Sequence, residues 1–171
     1  RGDVGIAVRD VQTGWTSDVQ GLRYFPQQSV SKLWVALSVL DQADQGRFSL
    51  GSEVTVRPQD LTLFHEPIAT LALRPGGFHT TAQDLLIRAL TQSDNSANDR
   101  LLQQIGGPDT VRATLAAKGI DGIRFGPGER LLQSRIAGLD WKPAYAMGGA
   151  FYAARDALPG AAWLAERVLG F

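Results

Sequence analysis

Ser29 and Lys32 stand three residues apart in Phe25-Pro26-Gln27-Gln28-Ser29-Val30-Ser31-Lys32-Leu33-Trp34-Val35-Ala36-Leu37, so on a helix they share one face. A serine hydroxyl is a weak nucleophile until a neighbouring base takes its proton. An ammonium drawn into a dry, apolar site gives up its proton more readily, because desolvation disfavours the charged form. The free N–H groups at a helix start, with their partial positive charge, suit a developing oxyanion. The pair therefore reads as a nucleophile and its proton partner. The plain alternative is that Ser29 caps the helix while Lys32 extends its ammonium to water.

The element that must position this pair is apolar nearly all round. From Val30 to Ala43 the other residues are Ser31, Lys32, Ser38, Asp41 and Gln42, and a helix with so little polar surface belongs at a domain centre. Gly46 is placed as its left-handed C-terminal residue. Ahead of it, Val4–Val8 and Trp15–Val19 flank a turn at Arg9–Gly14, which predicts a β-hairpin. Glu53-Val54-Thr55-Val56 reads as a short extended piece, and Arg57–Phe78 as irregular loop broken by Pro67, Pro75, Gly76 and Gly77.

Thr80 and Gln83 have capping-box spacing, so a helix is expected from Thr80 through Leu90. The polar break Ser93–Asp99 leads into a helix through Leu101, Leu102 and Ile105, followed by another from Asp109 to Lys118. Ile120–Ile136 reads largely as loop, and helical stretches are expected over Ala144–Ala157 and Ala161–Leu169. No repeat or low-complexity tract is present.

With 171 residues, the chain can hold one domain with a sizeable core or two closely packed lobes. Apolar residues make up 44% and the formal net charge is zero, so there is no electrostatic footprint for nucleic acid or an anionic membrane. No run is long enough for a membrane span, and no signal-peptide pattern stands at Arg1-Gly2-Asp3. Cysteine is absent, which excludes disulfides and thiolate metal sites. His65-Glu66 is followed by Pro67 with no histidine four residues on, so it is not read as a metal motif.

Ser93-Asp94-Asn95 is the second group. These types favour helix corners, but two asparagines in the whole chain make the ordered triplet far rarer by chance than Ser-x-x-Lys. Together, Ser29-Val30-Ser31-Lys32 and Ser93-Asp94-Asn95 resemble the serine β-lactamases of class A and their penicillin-binding relatives, over most of Val4 to about Tyr145. The resemblance implies an α+β fold, with a mostly helical lobe next to an antiparallel sheet of which the front hairpin is the part evident here. It implies one domain over 1–171, incomplete, with an α/β lobe at 1–50 and a helical lobe at 51–171.

The resemblance also implies roles. Ser29 is the acylated nucleophile and Lys32 its proton partner. Ser93 relays a proton to the β-lactam nitrogen, and Asn95 binds the substrate's amide side chain. Class A enzymes carry a deacylating glutamate on an omega-shaped loop, with Leu and Asn three and four residues on. In Gly126-Pro127-Gly128-Glu129-Arg130-Leu131-Leu132-Gln133 this makes Glu129 the base, with Leu132 in pattern and Gln133 replacing Asn as holder of the water. His65 falls at the family's aromatic gate, and Arg130 at its proline. Either Lys32 or Glu129 takes the first proton.

No cofactor or metal is implied. The expected substrate is a β-lactam or a peptidoglycan-like peptide, and the expected compartment is the periplasm or outside the cell. The family's Lys-Thr-Gly strand has no match among Lys32, Lys118 and Lys142. The chain therefore reads as the central portion of a longer protein, or one served by a second chain that supplies the strands. Alone, its 171 residues are not expected to hydrolyse a β-lactam efficiently. The alternatives are a penicillin-binding protein or D-Ala-D-Ala peptidase, a non-catalytic ligand-binding relative, and another hydrolase such as an esterase on the same scaffold.

Overall fold

A single turn of 3₁₀ helix, Gln28–Val30, runs directly into helix α1, Ser31–Asp44. The helix stops where Gly46 takes a positive φ of 67°. There the Gly46 N–H reaches the Ala43 carbonyl and the Arg47 N–H the Gln42 carbonyl, the paired bonds that satisfy a helix C-terminus. The computed structural model describes residues 3–158 of the chain, and the expected helix Ala161–Leu169 lies outside them.

Strands β1 (Ile6–Arg9) and β2 (Thr16–Val19) form the expected antiparallel hairpin, with Ile6 opposite Val19. Its turn is tied by the Asp10 carboxylate, which accepts from the Gln12 and Thr13 N–H groups. A second antiparallel pair joins β3 (Glu53–Val56) to β4 (Phe78–Thr81), with Val56 opposite Phe78. Val54 and Val56 turn inward and are buried. The four-residue α2 (Ala69–Ala72) lies in the long connection between these strands.

The remaining helices are α3 (Ala82–Thr91), α4 (Asn95–Gln104), α5 (Pro108–Ala117), α6 (Glu129–Ile136) and α7 (Gly149–Asp156). The architecture is α+β, as expected. The main core gathers Val35, Ala36 and Val39 of α1 with Leu85 and Ala89 of α3, Leu101 of α4, and Val111 and Leu115 of α5. A smaller aromatic cluster sets Phe151 of α7 edge-on to Phe64 and Tyr145, with ring centroids 5.4 and 5.7 Å apart.

Three sequence expectations are corrected. The cap of α3 is Thr81, whose hydroxyl accepts from the Asp84 N–H, while the Thr80 hydroxyl donates to the Asp84 carboxylate. Thr81 ends a strand and starts a helix at once, which hides the strand from a helix-start pattern. Residues 129–136 are helix α6 rather than loop, because Asp99 of α4 caps its first N–H groups. Finally, α1 is covered on one face by α3, α4 and α5, whereas Val30, Leu33 and Leu40 on its other side are 59, 50 and 41% exposed. No helix among the described residues is long and apolar enough to cross a membrane.

Candidate active site

Lys32 follows Ser29 by one helical turn, and its side chain is 2% exposed. The ammonium does not reach water. It donates to Ser29 Oγ at 3.1 Å, Asn95 Oδ1 at 2.8 Å and Glu129 Oε1 at 3.1 Å, so each of its three protons has an acceptor. The capping alternative for Ser29 is not realised either. The N-terminal turns of the 3₁₀ segment and of α1 have no side-chain cap, and Ser29 Oγ instead accepts from Lys32 and, at 2.8 Å, from the Ser93 hydroxyl.

Ser93 is held in the left-handed region, φ 55°, at the corner between α3 and α4. Gln28 before Ser29 and Phe64 before His65 also have positive φ, at 48° and 67°. Each such non-glycine residue costs about 1–3 kcal/mol, and such strain collects at functional sites. The corner is fixed by Asp94, which caps α4 through the Ala97 N–H and also accepts from the Ile68 N–H, both at 2.8 Å. Asn95 then starts α4 with its amide used at both ends: Oδ1 accepts from Lys32 and Nδ2 donates to the Leu63 carbonyl at 2.8 Å. The first turns of α4 are polar and buried (Asn95, Ser96, Asn98, Asp99), so this helix works as a polar hub inside an apolar core.

Glu129 opens α6 and is 2% exposed. Its Oε1 meets Lys32, and its Oε2 accepts from Gln133 Nε2, one turn on, at 3.0 Å. The residue preceding it, Gly128, has φ 94° and ψ 169°, a conformation essentially reserved for glycine, and carries no capping side chain. The cap comes instead from Asp99 on α4, whose carboxylate accepts from the Glu129 and Arg130 N–H groups at 2.6 and 3.1 Å. A tertiary cap of this kind leaves no local start signal, so the glycine-rich segment reads as loop. Burial pushes the Asp99 carboxyl above the usual carboxylate range. The two N–H bonds and the Arg130 charge pull the other way, and the Glu129 charge adds to the rise.

The structure thus brings Ser29, Lys32, Ser93, Asn95, Glu129 and Gln133 into one hydrogen-bonded chain. His65 stands at its margin: exposed, with Nε2 donating to the Gln92 carbonyl at 2.7 Å, while its own carbonyl accepts from the Asn95 N–H. Beside the group lies a cavity of about 160 Å³ lined by Phe25, Gln28, Ser31, Phe125 and Leu132. Sequence reasoning missed Asp99, the Leu63 carbonyl and the Arg130 contacts. Asp99 had a signal, since it lies four residues after Asn95 and so on the same face of α4. A backbone carbonyl has none.

An accessible serine backed by a buried lysine–carboxylate pair at the start of a core helix, closed by a Ser-Asp-Asn corner in an α+β fold, defines the class of serine β-lactamases and their relatives. The chain belongs to the beta-lactamase enzyme family, whose profile (Beta-lactamase2) matches residues 1–157. Beta-lactamase VEB-1 of Pseudomonas aeruginosa is 30% identical over 145 residues, 83% of this chain and 46% of that protein. Beta-lactamase Toho-2 of Escherichia coli is 34% identical over 137 residues, 80% and 46%. Among solved structures, a beta-lactamase from Chitinophaga pinensis superposes with a TM-score of 0.72 at 28% identity, covering 95% of this chain and 61% of that one. The class A beta-lactamase described as the last common ancestor of Gram-negative bacteria gives 0.65 at 32%, covering 73% and 46%. The chain spans about half the length of the curated relatives it matches.

Proposed function

We propose that the protein opens β-lactam rings through an acyl-serine intermediate, hydrolysed by water that Glu129 activates. The observation that carries this reading is the buried Lys32 ammonium, 3.1 Å from both Ser29 Oγ and Glu129 Oε1. In acylation, Lys32 passes a proton to Glu129 and takes the proton of Ser29 as its oxygen attacks the lactam carbonyl. Ser93, 2.8 Å from Ser29 Oγ, delivers a proton to the departing nitrogen and regains one from Lys32, which takes back its own from Glu129 and so restores the carboxylate. In deacylation, a water held between Glu129 and Gln133 loses a proton to Glu129 and attacks the ester. The Ser29–carbonyl bond breaks, Ser29 Oγ recovers a proton from Lys32, and Glu129 returns the water's proton to Lys32. Asn95 and His65 border the substrate in this scheme.

On the same reading, 1–171 is one incomplete domain, with an α/β lobe at 1–50 and a helical lobe at 51–171. The apolar residues Ile6, Val8 and Val19 of the hairpin, Val30 just before α1, and Leu33 and Leu40 of α1 are exposed, and on this reading further strands cover them. Export to the periplasm or outside the cell follows from the substrate.

The test is mass spectrometry of the protein as its gene encodes it, after addition of benzylpenicillin. A transient adduct on the Ser29 peptide is expected. A long-lived adduct assigns the protein to the penicillin-binding peptidases instead, and no adduct at all leaves a non-catalytic relative.

A further inference from the structure

Arg130 follows the proposed base directly, and its contacts are with the carboxylate that caps α6. Asp99 is 3% exposed and takes three bonds from this one place: the Glu129 N–H at 2.6 Å, the Arg130 N–H at 3.1 Å and Arg130 Nε at 3.3 Å. The guanidinium is fixed further by the Asp60 carbonyl at 3.0 Å and lies over the Trp141 ring, 5.6 Å from its centroid. A proline at this position, as the resemblance leads one to expect, has no N–H to give. Gly128 is pressed against the same carboxylate, since a Cβ there would lie 3.1 Å from Asp99 Oδ1.

Two carboxylates therefore share one helix start, each with its own cation. Glu129 has Lys32 from α1, and Asp99 has Arg130 from α6. Among the described residues, the charges that act on Asp99 are those of Arg130 and Glu129, and the Asp60 carbonyl faces the guanidinium. A buried carboxylate without a cation takes up a proton or expels its like-charged neighbour.

We propose that Arg130 and Asp99 form a charge-neutral clamp on the peptide of Glu129, which makes Arg130 a positioning residue for deacylation. Asp99 holds the Glu129 N–H, and Arg130 keeps Asp99 ionised while cancelling its charge beside the base. The clamp's effect on deacylation rests on Glu129 being the base; its effect on stability does not.

The test compares Arg130→Gln, Asp99→Asn and the double variant in the protein as its gene encodes it. Unfolding midpoints are measured at pH 5.5 and 8, along with the decay of the benzylpenicillin adduct on Ser29. Arg130→Gln should lose more stability at pH 8 than at pH 5.5, because the unpaired Asp99 is relieved by a proton in acid. The double variant should lose that pH dependence. Adduct decay should slow about 10-fold or more in Arg130→Gln, as expected for a misplaced catalytic group, and recover in the double variant.

Equal losses at both pH values, with no recovery from Asp99→Asn, overturn the clamp. If Arg130→Gln does not fold, a folded double variant supports the clamp and an unfolded one overturns it. If the parent forms no adduct, the hydrolase reading fails, and the pH dependence of stability still decides the clamp.

Discussion

The Lys32 ammonium and the Glu129 carboxylate meet at 3.1 Å with 2% of each side chain exposed, although 97 positions separate them. Such a pair does not stabilise the fold by much on balance, because both ions have been taken out of water. Breaking it is another matter. Lys32→Met should destabilise by about 3–5 kcal/mol, because it leaves a buried carboxylate without its counter-ion. Lys32→Met/Glu129→Gln should cost less than Lys32→Met alone. Urea unfolding of Lys32→Met, Glu129→Gln and the double variant checks this, and a double variant as damaged as the sum of the singles would falsify the coupling.

Removing the base while keeping the nucleophile separates the two halves of the proposed reaction. Glu129→Ala should slow deacylation by about 10²–10⁴-fold, the usual worth of a general base, and so accumulate the adduct. Ser29→Ala should prevent the adduct altogether. The measurement is intact mass against time after penicillin is added. Unchanged turnover in Glu129→Ala means that the base lies elsewhere.

The candidate site is legible in the sequence because side-chain type and spacing mark it. Ser29 and Lys32 lie one turn apart on a helix whose pattern marks it as central, and the Ser93-Asp94-Asn95 corner uses residues that build corners. What the sequence conceals are the tertiary substitutes for local signals. Helix α6 begins at a glycine with no cap of its own, because Asp99 caps it from α4. Strand β4 is hidden because Thr81 belongs to both the strand and the helix that follows. The two faces of α1 are alike in composition, so the pattern does not reveal that Val35 and Val39 are covered while Leu33 and Leu40 are open.

Gly128 is the hinge on which the position of Glu129 depends. Its φ of 94° and ψ of 169° are essentially glycine's alone, and an added Cβ would stand 3.0 Å from Leu102 Cδ2 and 3.1 Å from Asp99 Oδ1. Gly128→Ala should therefore destabilise by about 1–3 kcal/mol from the backbone alone. By pushing on the cap it should slow adduct decay more than adduct formation. Time-resolved mass spectra give both rates, and an equal loss in each would mean that the substitution acts on the fold rather than on the base.

Glu66 carries a pH dependence of its own. Its carboxylate accepts from the Thr62 N–H at 2.6 Å, from the Thr62 hydroxyl at 3.3 Å and from the Ser96 hydroxyl, tying the loop beneath His65 to α4. Burial raises its pKa above the ordinary 4.5. The bonds from Ser96 and Thr62 oppose that, and the nearby Asp94 charge adds to it. A carboxyl whose native pKa lies above its unfolded one contributes stability that is full below the unfolded value, and this is lost as pH rises through the native value. Glu66→Gln removes the titration while keeping an acceptor oxygen. The wild-type protein should therefore gain on Glu66→Gln in urea midpoint as pH falls from 7.5 toward 4.5. A difference that stays constant, or that moves in favour of the variant in acid, would show that the raised pKa is not realised in the folded protein.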